Sequence, residues 1–188
     1  MLKNKSWSRR NERSKKLLLW VGIAGISMFF AAFTSAYIVR KAEGNWVEFQ
    51  LPDWFLLSTI VIVCSSICLI IAKRIIKQNK DATSWLFTAL LLGCVFTFSQ
   101  FKGWGSLVAQ GLYMTGEGSN VSSSFLYVIT LSHLAHLSGG LIALLVTTIN
   151  SKKEKYNAEN YLGIELISIY WHYLAGLWLY LYFFMRYL

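Results

Sequence analysis

Five long apolar runs alternate with short polar segments along this chain. Each is long enough for a transmembrane helix, which needs about 20 mostly apolar residues. The runs cover residues 17–39, 54–72, 85–112, 124–149 and 161–187. Regular apolar–polar alternation, which is typical of β-strands, does not occur in them, and a helix satisfies its own backbone hydrogen bonds in lipid. The pattern therefore predicts an all-α fold, a bundle of five transmembrane helices forming one domain over residues 1–188.

Composition supports a membrane bundle. Hydrophobic residues make up 55% of the 188 residues and charged residues 14%, whereas soluble domains carry about 25% charged residues. The net charge of +9 would suit a nucleic-acid partner. However, the basic residues form short clusters between apolar runs, and no basic stripe is interleaved with aromatic residues. We therefore expect no nucleic-acid partner.

The distribution of basic residues predicts the orientation of the chain. Lysine and arginine concentrate on the cytoplasmic side of membrane proteins. Of the 18 basic residues, seven lie in residues 1–16, four in 73–80 and three in 152–155, which leaves four elsewhere. These segments alternate with the spans, so the pattern predicts a basic cytoplasmic tail over residues 1–16, a cytoplasmic N-terminus and an external C-terminus.

Polar side chains inside the spans are the candidate functional residues, because burying them in a bilayer is costly. His133 and His136 share one face of the fourth span with Gly140, and Glu165 and His172 share a face of the fifth. We interpret the four ionisable residues as a structural polar cluster between these spans, with His136 bonded to Glu165 directly or through a water. Haem or metal ligation and a proton relay are the alternatives for the same residues.

Three spans carry short motifs in a fixed order. They are Leu91-Leu92-Gly93 with Phe96 and Gln100, then His133-Leu134-Ala135-His136 with Gly140, then Gly163-Ile164-Glu165 with Tyr170-Trp171-His172-Tyr173 and Trp178. Together they resemble subunit III of the haem–copper oxidases, most closely the cytochrome c oxidase subunit 3 type. The resemblance covers about residues 17–187 and fits the five-span form, which lacks the first two of the family's seven spans. It implies helix-packing and family-motif roles for Gly93, Gln100, Gly140, Trp171 and Trp178.

The resemblance implies a non-catalytic subunit of a proton-translocating respiratory oxidase. In that family haem and copper lie in partner subunits, so it implies no catalytic residue, cofactor or metal in this chain. The implied partners are mainly oxidase subunit I, then subunit II, other respiratory-complex subunits and phospholipids. The implied location is the bacterial cytoplasmic (inner) membrane, where the subunit would support turnover and proton uptake in aerobic electron transport.

Three acidic residues that are common in the family are missing here. Ile26, Gly103 and Ala175 stand in the corresponding regions, so the roles of those acids are not carried over. Two other functions fit the sequence: an accessory subunit of a quinol oxidase or nitric oxide reductase, and a small membrane b-type cytochrome. A solute transporter is disfavoured, because the five spans show no internal repeat.

Overall fold

A computed structural model describes residues 2–44, 46–47, 50–116 and 119–187, with the side chains of residues 2–11 outside this description. Within these ranges the chain forms five helices and no strand. The helices are α1 (Leu2–Ala42), α2 (Asp53–Ile76), α3 (Thr83–Ala109), α4 (Val121–Lys152) and α5 (Leu162–Tyr187). All five are long and apolar enough to cross a membrane, which confirms the predicted all-α bundle.

Helix α1 includes the basic N-terminal segment as well as the first apolar run. Residues 2–16 contain neither proline nor glycine and are rich in lysine and arginine, which are good helix formers. The backbone therefore continues from the basic segment into the span without a break. The basic side chains of Lys3, Lys5, Arg9 and Arg10, which contribute to the predicted orientation, lie outside the described side chains.

Helix α3 ends at Ala109, three residues before the end of the apolar run over residues 85–112 that predicts it. Gly111 adopts a left-handed backbone conformation with a φ of 76°, and the Leu112 N–H donates to the Leu107 carbonyl at 3.0 Å. This is the glycine-terminated end common in helices. At the start of α4, Asn120 accepts a hydrogen bond from the Ser123 N–H at 2.9 Å as part of a capping box, which satisfies an otherwise free donor.

The five helices pack in an order that differs from their order in the chain. Helix α2 pairs closely with α3, and α5 lies against α2 and α4, while α3 also contacts α4. Among the described residues, α1 packs only against α4 and α5. The fully buried core includes Phe55, Leu69, Phe96, Trp171 and Trp178. Large apolar side chains also cover the outside of the bundle, as expected of a surface that faces lipid.

Candidate functional site

Trp171 fills the place where α3 and α4 approach α5. Its side chain is fully buried. A Cβ atom at Gly93 would lie 2.8 Å from Cη2 of Trp171 and 2.7 Å from Cδ2 of Leu141. A Cβ atom at Gly140 would lie 3.4 Å from the same indole and 3.2 Å from Leu174. The two glycines thus make room for one tryptophan, which lets three helices pack closely.

His133 lies in an aromatic cage at the centre of the bundle. The imidazole is fully buried, with its ring centroid 5.1 Å from Trp178, 6.0 Å from Phe96 and 6.3 Å from Phe30. Neither ring nitrogen has a hydrogen-bond partner in the described part of the chain. These four rings come from α4, α5, α3 and α1, so this histidine packs as an aromatic side chain joining four helices.

Helix α2 supplies hydrogen-bond acceptors to two residues of the sequence motifs. The indole N–H of Trp178 donates to Thr59 Oγ1 at 3.0 Å, and the side-chain amide of Gln100 donates to Ser58 Oγ at 2.8 Å. All four side chains are buried. Sequence reasoning missed Ser58 and Thr59, although the serines and threonines of the second span mark a polar face that the same reasoning could have found.

The structure does not bring His133, His136, Glu165 and His172 together in one cluster. His136 Nδ1 bonds to the Ser132 carbonyl oxygen of its own helix at 2.7 Å. Glu165 instead forms an ion pair with Lys16 of α1, with 2.7 Å between Nζ and Oε2. The predicted direct bond between His136 and Glu165 is therefore wrong. The lysine at the start of the first span offers the carboxylate an opposite charge, which a histidine of α4 does not match.

His172 also has its partners away from α4. Its Nδ1 shares a hydrogen bond with the Ser66 hydroxyl of α2, and its Nε2 lies 3.2 Å from Ser168 Oγ in the preceding turn of α5. Glu165 and His172 of α5 thus bond to α1 and α2, while Tyr170 of α5 donates a hydrogen bond to the His136 carbonyl of α4 at 3.1 Å. No group of three or more His, Cys, Asp or Glu side chains that could hold a metal ion occurs in the described part of the chain.

Three polar contacts join α1 to α5 along the length of the membrane. They pair Lys16 with Glu165, Ser27 with Tyr173 and Thr34 with Tyr180, at 2.7, 2.9 and 3.2 Å between the polar atoms. From one contact to the next, the residue numbers increase on both helices, so α1 and α5 run parallel. The contacts hold the first helix, which has few buried residues, in register with the last.

Two of the positions at which family acids are missing lie in packed surroundings. A Cβ atom at Gly103 would lie 2.8 Å from the ring of Phe55, so a glutamate there would displace a core side chain. Ala175 is buried, with 4% of its surface exposed. The third position, Ile26, is half-buried and packs against the aromatic cluster around Phe30. In this chain these sites contribute apolar packing.

The ion pair between Lys16 and Glu165 predicts a charge-swap result. Glu165→Leu should lower the free energy of unfolding of the purified chain, measured by SDS titration, by about 1 kcal/mol or less. The effect is small because both partners of the ion pair are partly exposed. The double variant Lys16→Glu/Glu165→Lys should recover most of that loss. Glu43→Leu breaks an exposed ion pair with Arg40 inside one helical turn and should change little. A swapped variant no more stable than Glu165→Leu would contradict the assignment.

The fold and this core define a polytopic helical membrane protein whose buried polar and aromatic groups join its helices. Comparison with known proteins gives the family. Residues 22–188 match the family described as cytochrome c oxidase subunit III. The chain belongs to this family, subunit III of the haem–copper oxidases.

Several relatives match nearly the whole chain. A probable cytochrome c oxidase subunit 3 of Nocardia farcinica is 28% identical over 93% of this chain and 87% of the relative. A cytochrome c oxidase subunit 3 of Bacillus sp. PS3 is 24% identical over 90% and 84%. A probable quinol oxidase subunit 3 of Staphylococcus saprophyticus is 26% identical over 89% and 85%. The relatives thus include subunits named for both kinds of oxidase.

Proposed function

We propose that this chain is a non-catalytic subunit of a cytochrome c oxidase, in which it packs on the catalytic subunit and supports turnover and proton uptake. Family membership supports the oxidase assignment. The observation that carries the non-catalytic role is the use of the three histidines. His133 is caged by aromatic rings, His136 bonds to its own helix and His172 bonds to two serines. Haem and copper then belong to partner subunits.

The electron donor defines a second candidate function. A relative named as a probable quinol oxidase subunit 3 matches this chain about as well as those named for cytochrome c oxidase. An accessory role in a quinol oxidase is therefore the alternative. The two functions require the same packing role of this chain, because the donor would bind elsewhere in the complex.

The outward surface of α1 supports the proposed partners. Leu18, Trp20 and Met28 expose 57–75% of their surface on a helix that has only two neighbours among the described residues. In the bacterial cytoplasmic membrane this face would contact oxidase subunit I, the main partner, or lipid. Subunit II and other respiratory-complex subunits complete the proposed assembly.

Co-purification tests the proposed function. The chain with a C-terminal affinity tag, expressed in its own host and extracted in mild detergent, should retain a larger subunit that carries haem and copper. The purified complex should show haem absorption and oxidise either reduced cytochrome c or a quinol, which identifies the donor. The tagged chain expressed alone should show no haem spectrum. Haem bound in stoichiometric amount to the isolated chain would instead support a b-type cytochrome.

Reporter fusions test the proposed orientation. An enzyme reporter that is active only outside the cytoplasm should be inactive when fused after Lys80 and active when fused after Asn120. The physical reason is the 14-to-4 division of basic residues between the two sides, since positive loops stay in the cytoplasm. A fusion after Lys155 provides the matched control and should behave like the fusion after Lys80. Equal activity of the Lys80 and Asn120 fusions would contradict the topology.

A further inference from the structure

A cavity of about 890 Å³ opens at the end of the bundle where α2 and α4 finish and α3 begins. This volume lies within the range of small-molecule pockets, about 300–1,000 Å³. One wall comes from the α2–α3 connection and another from the α4–α5 connection. By the proposed orientation the cavity lies at the cytoplasmic surface of the membrane.

Two hydrogen bonds tie the walls of this cavity together. Thr83 Oγ1 lies 3.0 Å from Ser151 Oγ and links the start of α3 to the end of α4. Asn79 Oδ1 accepts a hydrogen bond at 2.9 Å from the Ala158 N–H and links the two connections. The cavity is therefore part of the bundle's architecture, and its shape does not depend on the conformation of a single loop.

Charges of both signs line the polar end of the cavity. Lys80 and Lys152 supply two positive charges, and Asp81 and Glu154 supply two negative charges. None of the four forms an ion pair with another described residue. Hydrogen bonds from the Thr83 hydroxyl and backbone N–H hold the pKa of Asp81 below its usual range, so its carboxylate stays charged at neutral pH. The space between these groups suits a ligand that carries both charges.

Glu154 adopts a backbone conformation that is unfavourable for glutamate. It terminates α4 in the left-handed region with a φ of 54°, where the Lys155 N–H bonds back to the Asn150 carbonyl. Glycine or asparagine usually occupies this position, because other side chains are strained there. Asparagine does so at the corresponding end of α2, at Asn79. Glu154 lines the cavity from this strained position, in agreement with a binding role.

The other end of the cavity is apolar and continues towards the lipid-facing surface. Phe87 of α3 and Leu145 and Ile149 of α4 line it and expose 44–51% of their surface. Leu145 precedes Lys152 by seven helical residues, which places it about 10 Å deeper in the membrane. A ligand here would have a charged head at the membrane surface and an apolar part along α3 and α4.

We propose that this cavity binds a phospholipid with a phosphoethanolamine headgroup. The phosphate lies between Lys80 and Lys152, the ammonium group faces Glu154 and Asp81, and an acyl chain follows Phe87 and Leu145. Charge-assisted hydrogen bonds from the ammonium N–H groups to the carboxylates favour ethanolamine over choline, whose methylated nitrogen has no N–H to donate. The two carboxylates disfavour a purely anionic headgroup. This site deepens the proposed contact with phospholipids.

Native mass spectrometry of the full-length chain in detergent tests the site with three defined lipids. When each lipid is added in an amount below that of the protein, the wild type should bind phosphatidylethanolamine in preference to phosphatidylcholine or phosphatidylglycerol with the same acyl chains. The variant Lys152→Gln/Glu154→Gln should weaken phosphatidylethanolamine binding about tenfold, since it removes one contact to each charge. Lys153→Gln/Glu159→Gln makes the same chemical changes at neighbouring residues that do not line the cavity, and it should bind as the wild type does.

Three results would overturn the site: equal loss in both double variants, no loss in either, or equal binding of phosphatidylglycerol by the wild type. A photoreactive phosphatidylethanolamine with its reactive group on an acyl chain gives a second measurement that does not require a variant. It should label peptides of α3 and α4 that contain Phe87 and Leu145, and labelling confined to α1 would refute the proposal. A chain that co-purifies with the oxidase but fails these tests would leave the proposed function intact.

Discussion

Gly93→Leu should destabilise the bundle strongly, whereas Gly105→Leu on the same helix should be tolerated. A Cβ atom at Gly93 already lies 2.7 Å from Leu141 and 2.8 Å from the buried indole of Trp171, so a larger side chain must displace one of them. Overpacking of this kind costs about 1–3 kcal/mol. Gly105 has no atom within 4 Å of the corresponding position. SDS titration of the purified chains, followed by circular dichroism, measures the difference.

A comparison of adjacent glycines extends the same test. Gly139 has open space at the Cβ position, while Gly140 faces Leu174 and Trp171 at 3.2–3.4 Å. Gly140→Leu should therefore unfold at lower SDS than Gly139→Leu, although the two residues are neighbours in one helix. Equal stability of the two variants, or of Gly93→Leu and Gly105→Leu, would show that Trp171 does not depend on close approach of these helices.

Trp178→Ala should strongly destabilise the bundle. The side chain is fully buried among His133, Phe96 and Phe55. Removing a buried tryptophan typically costs about 3–5 kcal/mol, because the surrounding side chains only partly fill the cavity. Trp178→Phe keeps most of the ring contacts and loses the hydrogen bond to Thr59, a net cost of about 1 kcal/mol. In SDS titration, and in the yield of co-purified oxidase, Trp178→Ala should show a larger loss than Trp178→Phe.

Trp20→Ala is the matched control for this truncation. Trp20 lies on α1 with 57% of its surface exposed, so the isolated chain should lose about 0.5 kcal/mol or less. In the complex the same variant reports on the outward face of α1. A loss of stability in the isolated chain as large as that of Trp178→Ala would contradict the assignment of Trp178 to the centre of the bundle.

Sequence periodicity identified the residues of the core better than their partners. Gly140 could be recognised because it shares a helical face with His133 and His136, whereas Gly93 and Trp171 are implied by the family resemblance, and the structure places both glycines against Trp171. Periodicity states which side chains share a face of one helix. It does not state which other helix meets that face, and for this reason Glu165 was assigned to His136 when its partner is Lys16.

The partners that could not be predicted come from helices distant in sequence. Ser66 and His172 are 106 residues apart, and Thr59 and Trp178 are 119 apart. A short connection between α4 and α5 indicates that these two helices are neighbours, but the place of α2 beside α5 follows only from how all five helices pack. Buried hydroxyl groups give a weak sequence pattern, since serine and threonine can also bond to their own helix, as Ser58 does with the Phe55 carbonyl.

The packing of α1 has a consequence for the time course of synthesis. Of the five helices, α1 leaves the ribosome before the others, yet its only neighbours among the described residues are α4 and α5, the last two of the five to be made. At translation rates of about 5–20 residues per second, α1 would wait on the order of ten seconds in the lipid before either neighbour arrives. During that interval Ser27 and Thr34, the polar residues of α1 that contact α5 in the folded chain, have no helix of their own chain to pack against. A chaperone or an assembly partner that shields nascent α1 would therefore act before translation ends, and a ribosome stalled within α4 would expose the same residues.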